Sequence, residues 1–587
     1  MKKTILSAAM AALTLTVAAA PRSLEEMRAI AASYLHNSHA SAARKAPAAM
    51  ASPRLIDATR AYAIFSAPGD DGFVIVSGDD DARPVLGYSP TAFPSYDMPD
   101  GLQWYLQQLE LRADGPSARR NAATYTAVPN FVTTTWDQDY PFNKLTPDNC
   151  PAGCVATALA QCMNYCQWPS EAAFTGSCRV TKKVGRKEKT EQQELDINST
   201  YTWPYEDNYA TVGRVSDNID ELLRDCGYAT YMSYSPSGSG TASILAGIAL
   251  THEFGYPQQS VRYLQREDVA TQDEWAQLIY DELGRRCPVF FGASDESFGG
   301  HAFLLTGVDA DGLVYVNWGW RGSADGWFDL TNLSPSQGEQ DMHFLSDMEI
   351  VYGIRKEPLP TDRFQVSLHS YSGEDYTYDW RTMTDDANVS HNTLYISLPH
   401  GFMNYQPSDF MGVFGIFADD LTDGSTWVIE PDLQDRDTLP SGYIYGGSDD
   451  RYEDFAFYYY VDGAQGLKAG HTYRMSFGYC DDREQKWHSI ICGNREIAYE
   501  VKYTGDVATS TVTPEPTTPP VLTGIGSLHA NGSNLGRYER VSAITRVYDA
   551  DGRLVHTAPT SDFNLWDIPV RGILIVDDGQ TRRKIVR

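Results

Sequence analysis

Apolar and polar positions follow several distinct rhythms along this chain, and the changes of rhythm divide it. In residues 24–35 apolar side chains recur every three to four positions, which predicts an amphipathic helix. Residues 61–65 and 72–77 are short apolar runs separated by Gly69-Asp70-Asp71, the pattern of two paired strands; 84–88 predicts another strand and 102–111 a second helix. Val155, Ala158, Leu159, Cys162, Met163 and Cys166 recur at helical spacing behind a Pro151-Ala152-Gly153 turn, and Pro169 stops the run. Residues 181–193 are charged and polar and predict an exposed loop, whereas 217–225 and 271–285 predict helices. Residues 288–292 predict a buried strand, followed by a loop over 293–299 that could move over a cleft.

From His301 an apolar strand runs to Val308, Asp309-Ala310-Asp311-Gly312 predicts a hairpin turn, and 313–320 predicts the return strand. Beyond 359 the helical period fades. Short alternating strands at 364–368, 393–398, 411–417, 457–461 and 472–479 predict a β-sandwich module. A Thr/Pro-rich linker occupies 507–520, and 521–587 predicts one more small β module.

Composition narrows the class of molecule. The 587 residues allow three to five domains, and a formal charge of −30 argues against nucleic acid or an anionic membrane as the main partner. Met1-Lys2-Lys3 ahead of an apolar run ending Ala18-Ala19-Ala20 predicts a secretory signal over 1–20, too short for a membrane span. Nine cysteines leave one over after pairing; seven lie between Cys150 and Cys287, and spacing alone does not pair them. Cys162 and Cys166 stand one helical turn apart and read as buried thiols, and Cys150, Cys154, Cys162 and Cys166 lack zinc-site spacing.

The candidate chemistry begins at Cys154. A first-turn position places a thiol among unpaired N–H groups at the positive end of the helix dipole, which favours the thiolate, the nucleophilic form. Alone, Cys154 reads more simply as a small buried residue. His301 alters that reading. Gly299-Gly300 before it suits close approach of a substrate backbone, and side-chain alternation puts Trp318 and Trp320 on its face. Closing the hairpin on Ala310-Asp311 sets Trp320 opposite His301, and closing it on Asp311-Gly312 sets Gly322 there. In both registers Asn317 points away unless a bulge intervenes.

These residues resemble a family. Gly153-Cys154-Val155-Ala156-Thr157, Gly299-Gly300-His301-Ala302 and Asn317-Trp318-Gly319-Trp320 are similar to the three blocks of the streptopain-type cysteine peptidases. These are papain-like secreted bacterial enzymes that include the interpain and periodontain types. The likeness spans about residues 125–358 and takes in Trp136-Asp137-Gln138-Asp139-Tyr140-Pro141-Phe142-Asn143 and the Ser/Gly loop at 234–240. It implies a papain-like catalytic domain (125–358) and gives the small α+β domain before it (21–124) the role of an inhibitory pro-domain; with the β-sandwich modules that the strand pattern predicts after it, starting with 359–506, the chain reads as α+β. Arg119-Arg120-Asn121 is a plausible region for the activating cut.

The implied activity is that of a cysteine endopeptidase, made as a zymogen and acting on host or environmental proteins. Cys154 is its nucleophile and His301 its base. Gln138 with the Cys154 N–H forms the oxyanion site, and Trp318 shields and orients His301 with Asn317 in reserve. Ser239 and Gly300 line the substrate, and no cofactor or metal is required. Its partners are protein and peptide substrates and its own pro-domain. The Asp-Gly-Arg turn and terminal strand of 521–587 also resemble a type IX secretion sorting domain, implying that machinery as a partner and release from, or retention at, the outer-membrane surface. Two other functions fit parts of the pattern: a surface adhesin with an inactive protease fold, and an acyl-transferring enzyme of the transglutaminase kind.

Overall fold

The structure is a computed structural model. It describes residues 21–38, 52–112 and 126–358 with short breaks, a discontinuous set of strands and connections from 368 to 512, and four strands between 545 and 586. The expected signal segment, Arg119-Arg120-Asn121, the middle of the loop before His301 (296–298) and the linker from 513 onward lie outside the described residues. The chain divides into two compact units, one of residues 1–125, 310–314 and 323–340, the other of 126–309, 315–322 and 341–587.

In the first unit helix α1 (Leu24–Ser38) starts at a capping box. The Ser23 hydroxyl accepts the Glu26 N–H at 3.3 Å and the Glu26 carboxylate accepts the Ser23 N–H at 2.7 Å. An antiparallel meander follows: β1 (Arg54–Ala58), β2 (Tyr62–Ser66), β3 (Phe73–Ser77) and β4 (Val85–Ser89), then helix α2 (Asp100–Arg112). Every residue of β2 and β3 is buried, which explains their unbroken apolar runs. Met27, Ala31 and Leu35 of α1 pack on Phe65, Val74 and Val76, and Leu313 joins the same core.

The meander does not end at β4. The strand Gly326–Phe328 pairs with it, Trp327 opposite Tyr88 and Phe328 opposite Gly87. The expected boundary near 124 therefore separates stretches of sequence, whereas this packing unit also takes in residues from beyond His301.

The second unit is built on helix α3 (Cys154–Cys166). The sequence predicted one apolar face, but ten successive residues, 155–164, are buried. The small side chains let α4 (Ile219–Ala229), α5 (Ile244–His252) and strands approach α3 on several sides. The helix ends where Gln167 turns left-handed (φ 52°) and donates its N–H to the Met163 carbonyl. The stretch predicted as an exposed loop is instead a long hairpin, β5 (Glu171–Val184) with β6 (Lys187–Thr200). Lys187, Glu188, Lys189, Glu191 and Glu194 all stand exposed on β6, so polarity there marked exposure rather than absence of structure. Strand β7 (Ser233–Tyr234) runs parallel to β5.

A second sheet carries β8 (Arg262–Gln265), β9 (Val289–Asp295), β10 (Gly299–Val308), β11 (Val314–Asn317) and, after β12 (Gly326–Phe328, above), β13 (Asp347–Tyr352). Within this unit the order is β11-β10-β9-β13-β8, with helix α6 (Gln272–Gly284) packed on β9 and β10.

The β-rich segment after 368 is fastened to the same unit. The Gln406 side chain takes the Tyr263 N–H (3.3 Å) and donates to the Tyr263 carbonyl (2.8 Å), closing the open edge of β8. The Thr251 hydroxyl donates to the Pro407 carbonyl at 2.6 Å, and His252 meets Asp409 at 3.0 Å. Leu394, Phe414, Ile416, Met475 and Phe477 share one core across its sheets. The expected linker begins later than predicted: Asp506 caps a short turn through the Ala508 N–H, and Thr511–Val512 pairs with Ala498–Tyr503. The last segment forms a four-stranded antiparallel sheet. No helix among the described residues is long and apolar enough to cross a membrane.

Candidate active site

Cys154 opens α3 and is half-buried. Gly153 caps the helix at φ 91°, a conformation few other residues adopt, and a Cβ there would lie 2.8 Å from the Met232 side chain. The turn is further fixed by the Ala152 N–H, which donates to the Gln138 carbonyl at 2.8 Å, and by the Thr157 N–H, which donates to the Gly153 carbonyl at 3.0 Å.

His301 stands in β10 opposite Ala293 and is buried. Its Nε2 lies 3.2 Å from the Trp318 carbonyl oxygen, which can only accept. Nε2 therefore carries a proton, and Nδ1 is left for the thiol of Cys154, to which the imidazole is hydrogen-bonded. Burial alone would push the Cys154 thiol up. The hydrogen bond and charge of His301, with the N–H groups of Ala302 and Val155, outweigh it and bring the thiol below its ordinary range. The other thiols of α3 go the opposite way: burial pushes Cys162 well up and Cys166 to about 12. Cys150, Cys154, Cys162, Cys166, Cys178, Cys226, Cys287 and Cys480 are free.

The aromatic wall differs in detail from the predicted one. The Trp320 ring packs on His301 with centroids 5.7 Å apart, whereas the Trp318 ring packs one step along the strand, 4.8 Å from Phe303. Trp318 touches the imidazole through its backbone carbonyl, while its ring lies beside Phe303, two residues along from His301 on the same face of β10.

Asn317 ends the strand and points away from His301. It donates to the Thr134 carbonyl (2.7 Å) and to Gln161 Oε1 (3.1 Å), and its Oδ1 accepts the Gly319 N–H (3.0 Å). Gln161 lies two turns after Cys154 on α3, fully buried, and its Oε1 also accepts the Thr134 hydroxyl at 2.7 Å. Neither Gln161 nor Thr134 was legible as a site residue. The only signal was a glutamine in a helical run whose other polar residues are Thr157 and Asn164.

The remaining candidates gather nearby to different degrees. Gln138 is half-buried and tied by its carbonyl to the turn before Cys154. The Ser239 carbonyl lies 3.2 Å from the Cβ position of Gly153, and the Ser239 hydroxyl is buried with no partner among the described residues. Gly300 is exposed at the start of β10, opposite Ser294. Among the described residues one group could hold a metal, Asp420, Asp423 and His471. It lies in the β-rich segment, and the Lys468 ammonium already pairs with both carboxylates.

The model of the peptidase C10 family matches residues 136–328, and that of the Spi protease inhibitor matches 19–113. A thiol protease/hemagglutinin of Porphyromonas gingivalis is 28% identical over 400 residues, 59% of this chain but 44% of that one, so the match spans less than half of that relative. Streptopain of Streptococcus pyogenes is 30% identical over 297 residues, 45% of this chain and 73% of its own length. Among solved structures, a prointerpain A fragment of Prevotella intermedia is 29% identical and covers 52% of this chain and 100% of its own, with a TM-score of 0.44.

Proposed function

The chain belongs to the streptopain-type C10 family of cysteine peptidases, and from that premise we propose that it is a secreted endopeptidase, made as a zymogen, with Cys154 as nucleophile and His301 as its base. The observation that carries this reading is the hydrogen-bonded Cys154–His301 pair, with Nε2 of the imidazole held on the Trp318 carbonyl.

The thiol proton passes to Nδ1 of His301, and the thiolate sulfur bonds to the scissile carbonyl carbon. The oxyanion that forms is met by the Cys154 N–H and the Gln138 side-chain amide. As the C–N bond breaks, the imidazolium returns its proton to the leaving amine and a thioester remains. A water then gives a proton to His301 and its oxygen displaces the sulfur, releasing the acid. Ser239, whose carbonyl lies 3.2 Å from the Cβ position of Gly153, and the exposed Gly300 backbone line the path of an extended peptide.

The pro-domain over 21–124 keeps the enzyme latent until it is cut away. The signal segment and the C-terminal sheet direct export, with the type IX machinery as the route to the cell surface. Casein hydrolysis by the processed protein, with and without reductant and beside Cys154→Ala, tests the activity. Reductant-dependent cleavage abolished by the substitution is the expected result; no cleavage after confirmed processing would defeat it.

A further inference from the structure

Arg321 is an exposed residue with a left-handed backbone (φ 53°), three positions after the carbonyl that holds His301 and next to the tryptophan whose ring covers it. Its bonds reach to the opposite side of the site. The Arg321 N–H donates to the Trp136 carbonyl at 3.2 Å, Nε pairs with the Asp137 carboxylate at 2.5 Å, and Nη2 donates to the Tyr140 carbonyl at 2.7 Å. These contacts bracket Gln138. The second oxygen of Asp137 accepts the Gln138 N–H at 2.8 Å, and the Gln138 carbonyl accepts from Ala152, two residues before the nucleophile.

Such a pair contributes little as a surface ion bridge, because Arg321 is 41% exposed and water screens it. Its geometry has a different use. A guanidinium is a planar fork with donors fixed in direction, so one side chain can hold two points of a loop at a set spacing. Asp137, by contrast, is buried, and burial pushes its carboxyl above the ordinary range; the Gln138 N–H and the Arg321 guanidinium pull the other way, so the two contacts are what offset the cost of placing this group out of water, with Asp139 adding to it. An oxyanion donor must sit within a few tenths of an ångström of its working position, and an error of about 1 Å can cost about 10²-fold in rate.

We infer that Arg321, through Asp137, is a positioning residue that holds the Gln138 amide in register with the Cys154 N–H and locks the oxyanion side of the site to the wall that orients His301. The inference rests on the peptidase reading. It predicts a separation between two reactions of the same sulfur. Peptide hydrolysis needs the oxyanion donors, whereas alkylation of Cys154 by iodoacetamide needs only the thiolate made with His301.

The test uses the full processed chain as parent, Arg321→Ala, Arg321→Lys and Asp137→Asn. Each protein is assayed for kcat and KM on a peptide amide, for the iodoacetamide rate constant and for its unfolding midpoint. Arg321→Ala is expected to lower kcat about 10- to 100-fold, with KM and the alkylation rate changed less than twofold. Arg321→Lys, which keeps the cation but loses the fork, recovers part of kcat, and Asp137→Asn falls between the two. Unchanged kcat in Arg321→Ala overturns the inference. So does a parallel loss of kcat and alkylation, or a loss explained by a lowered midpoint. A parent that alkylates but cleaves nothing overturns the peptidase reading itself, which separates the two failures.

Discussion

Asn317 Oδ1 accepts the N–H of Gly319 at 3.0 Å, so the side chain of one residue fixes the turn that presents the Trp318 carbonyl to His301. An asparagine here orients the imidazole at one remove, by shaping backbone, rather than by bonding to the ring. Asn317→Ala removes this bond and leaves the Gly319 N–H, the Thr134 carbonyl and Gln161 without their buried partner. Unsatisfied buried groups cost about 1–3 kcal/mol each, so unfolding in denaturant should show a loss of at least that size. The catalytic rate should fall further than stability explains, because Nε2 loses its fixed acceptor. A variant with normal kcat would show that the turn holds itself.

The pH dependence of Cys154 has a definite sign. In the folded protein the thiol is lowered because His301, Ala302 and Val155 together outweigh burial. Alkylation of Cys154 should therefore persist below the pH at which an ordinary thiol stops reacting. In His301→Ala the largest surviving influence is burial, which raises the thiol, so the alkylation profile should move to higher pH. A profile that does not move would mean that the helix terminus, not the imidazole, makes the thiolate.

The strand pairing in the first unit bears on latency. Gly87 of β4 faces Phe328, and a Cβ on it would sit 2.5 Å from the phenyl ring and 3.1 Å from the Trp327 carbonyl oxygen. Gly87→Ala should force β4 and β12 apart and weaken the hold of the N-terminal segment on 325–329, where the Ser89 hydroxyl also donates to the Asp325 carbonyl at 2.6 Å. The expected outcome is faster self-processing of the purified zymogen, followed by gel electrophoresis over time. An unaltered processing rate would exclude this pairing from control of latency.

Gln406 closes the edge of β8 with a side-chain amide that mimics a paired strand. Gln406→Ala should lower stability by about 1–3 kcal/mol, read as a drop in the urea midpoint. Neutralising the half-exposed His252–Asp409 pair should change it by about 0–1 kcal/mol. Equal effects would mean that charge, rather than edge closure, fastens the β-rich segment.

Much of this architecture was legible because it depends on local pattern. Strands β2, β3 and β4 of the first unit, the helices at 219–229 and 272–284 and the strand leading into His301 are apolar runs bounded by turn residues, and the structure contains them; β1 was not expected, since Arg54–Ala58 carries no such run. The hairpin at 171–200 was missed although β5 alternates, with Ala172, Cys178 and Val180 buried and Phe174 packed beside them; its partner β6 is exposed along most of its length, and that polar run hid the pairing. The pairing of Gly326–Phe328 with β4 was hidden for another reason: it joins residues more than two hundred positions apart, and nothing local records which edge a three-residue strand will choose.

At the site the division is similar. The sequence by itself determined the cysteine at a helix start, the histidine opening a strand and the two tryptophans beyond it, because each is fixed by neighbours along the chain. Only the tertiary structure decided that a backbone carbonyl holds Nε2, that Asn317 and Gln161 interlock beneath it, and that Arg321 crosses to Asp137. A carbonyl looks the same in every residue's letter, and a hydrogen bond between distant side chains depends on distances that exist only once the core has packed.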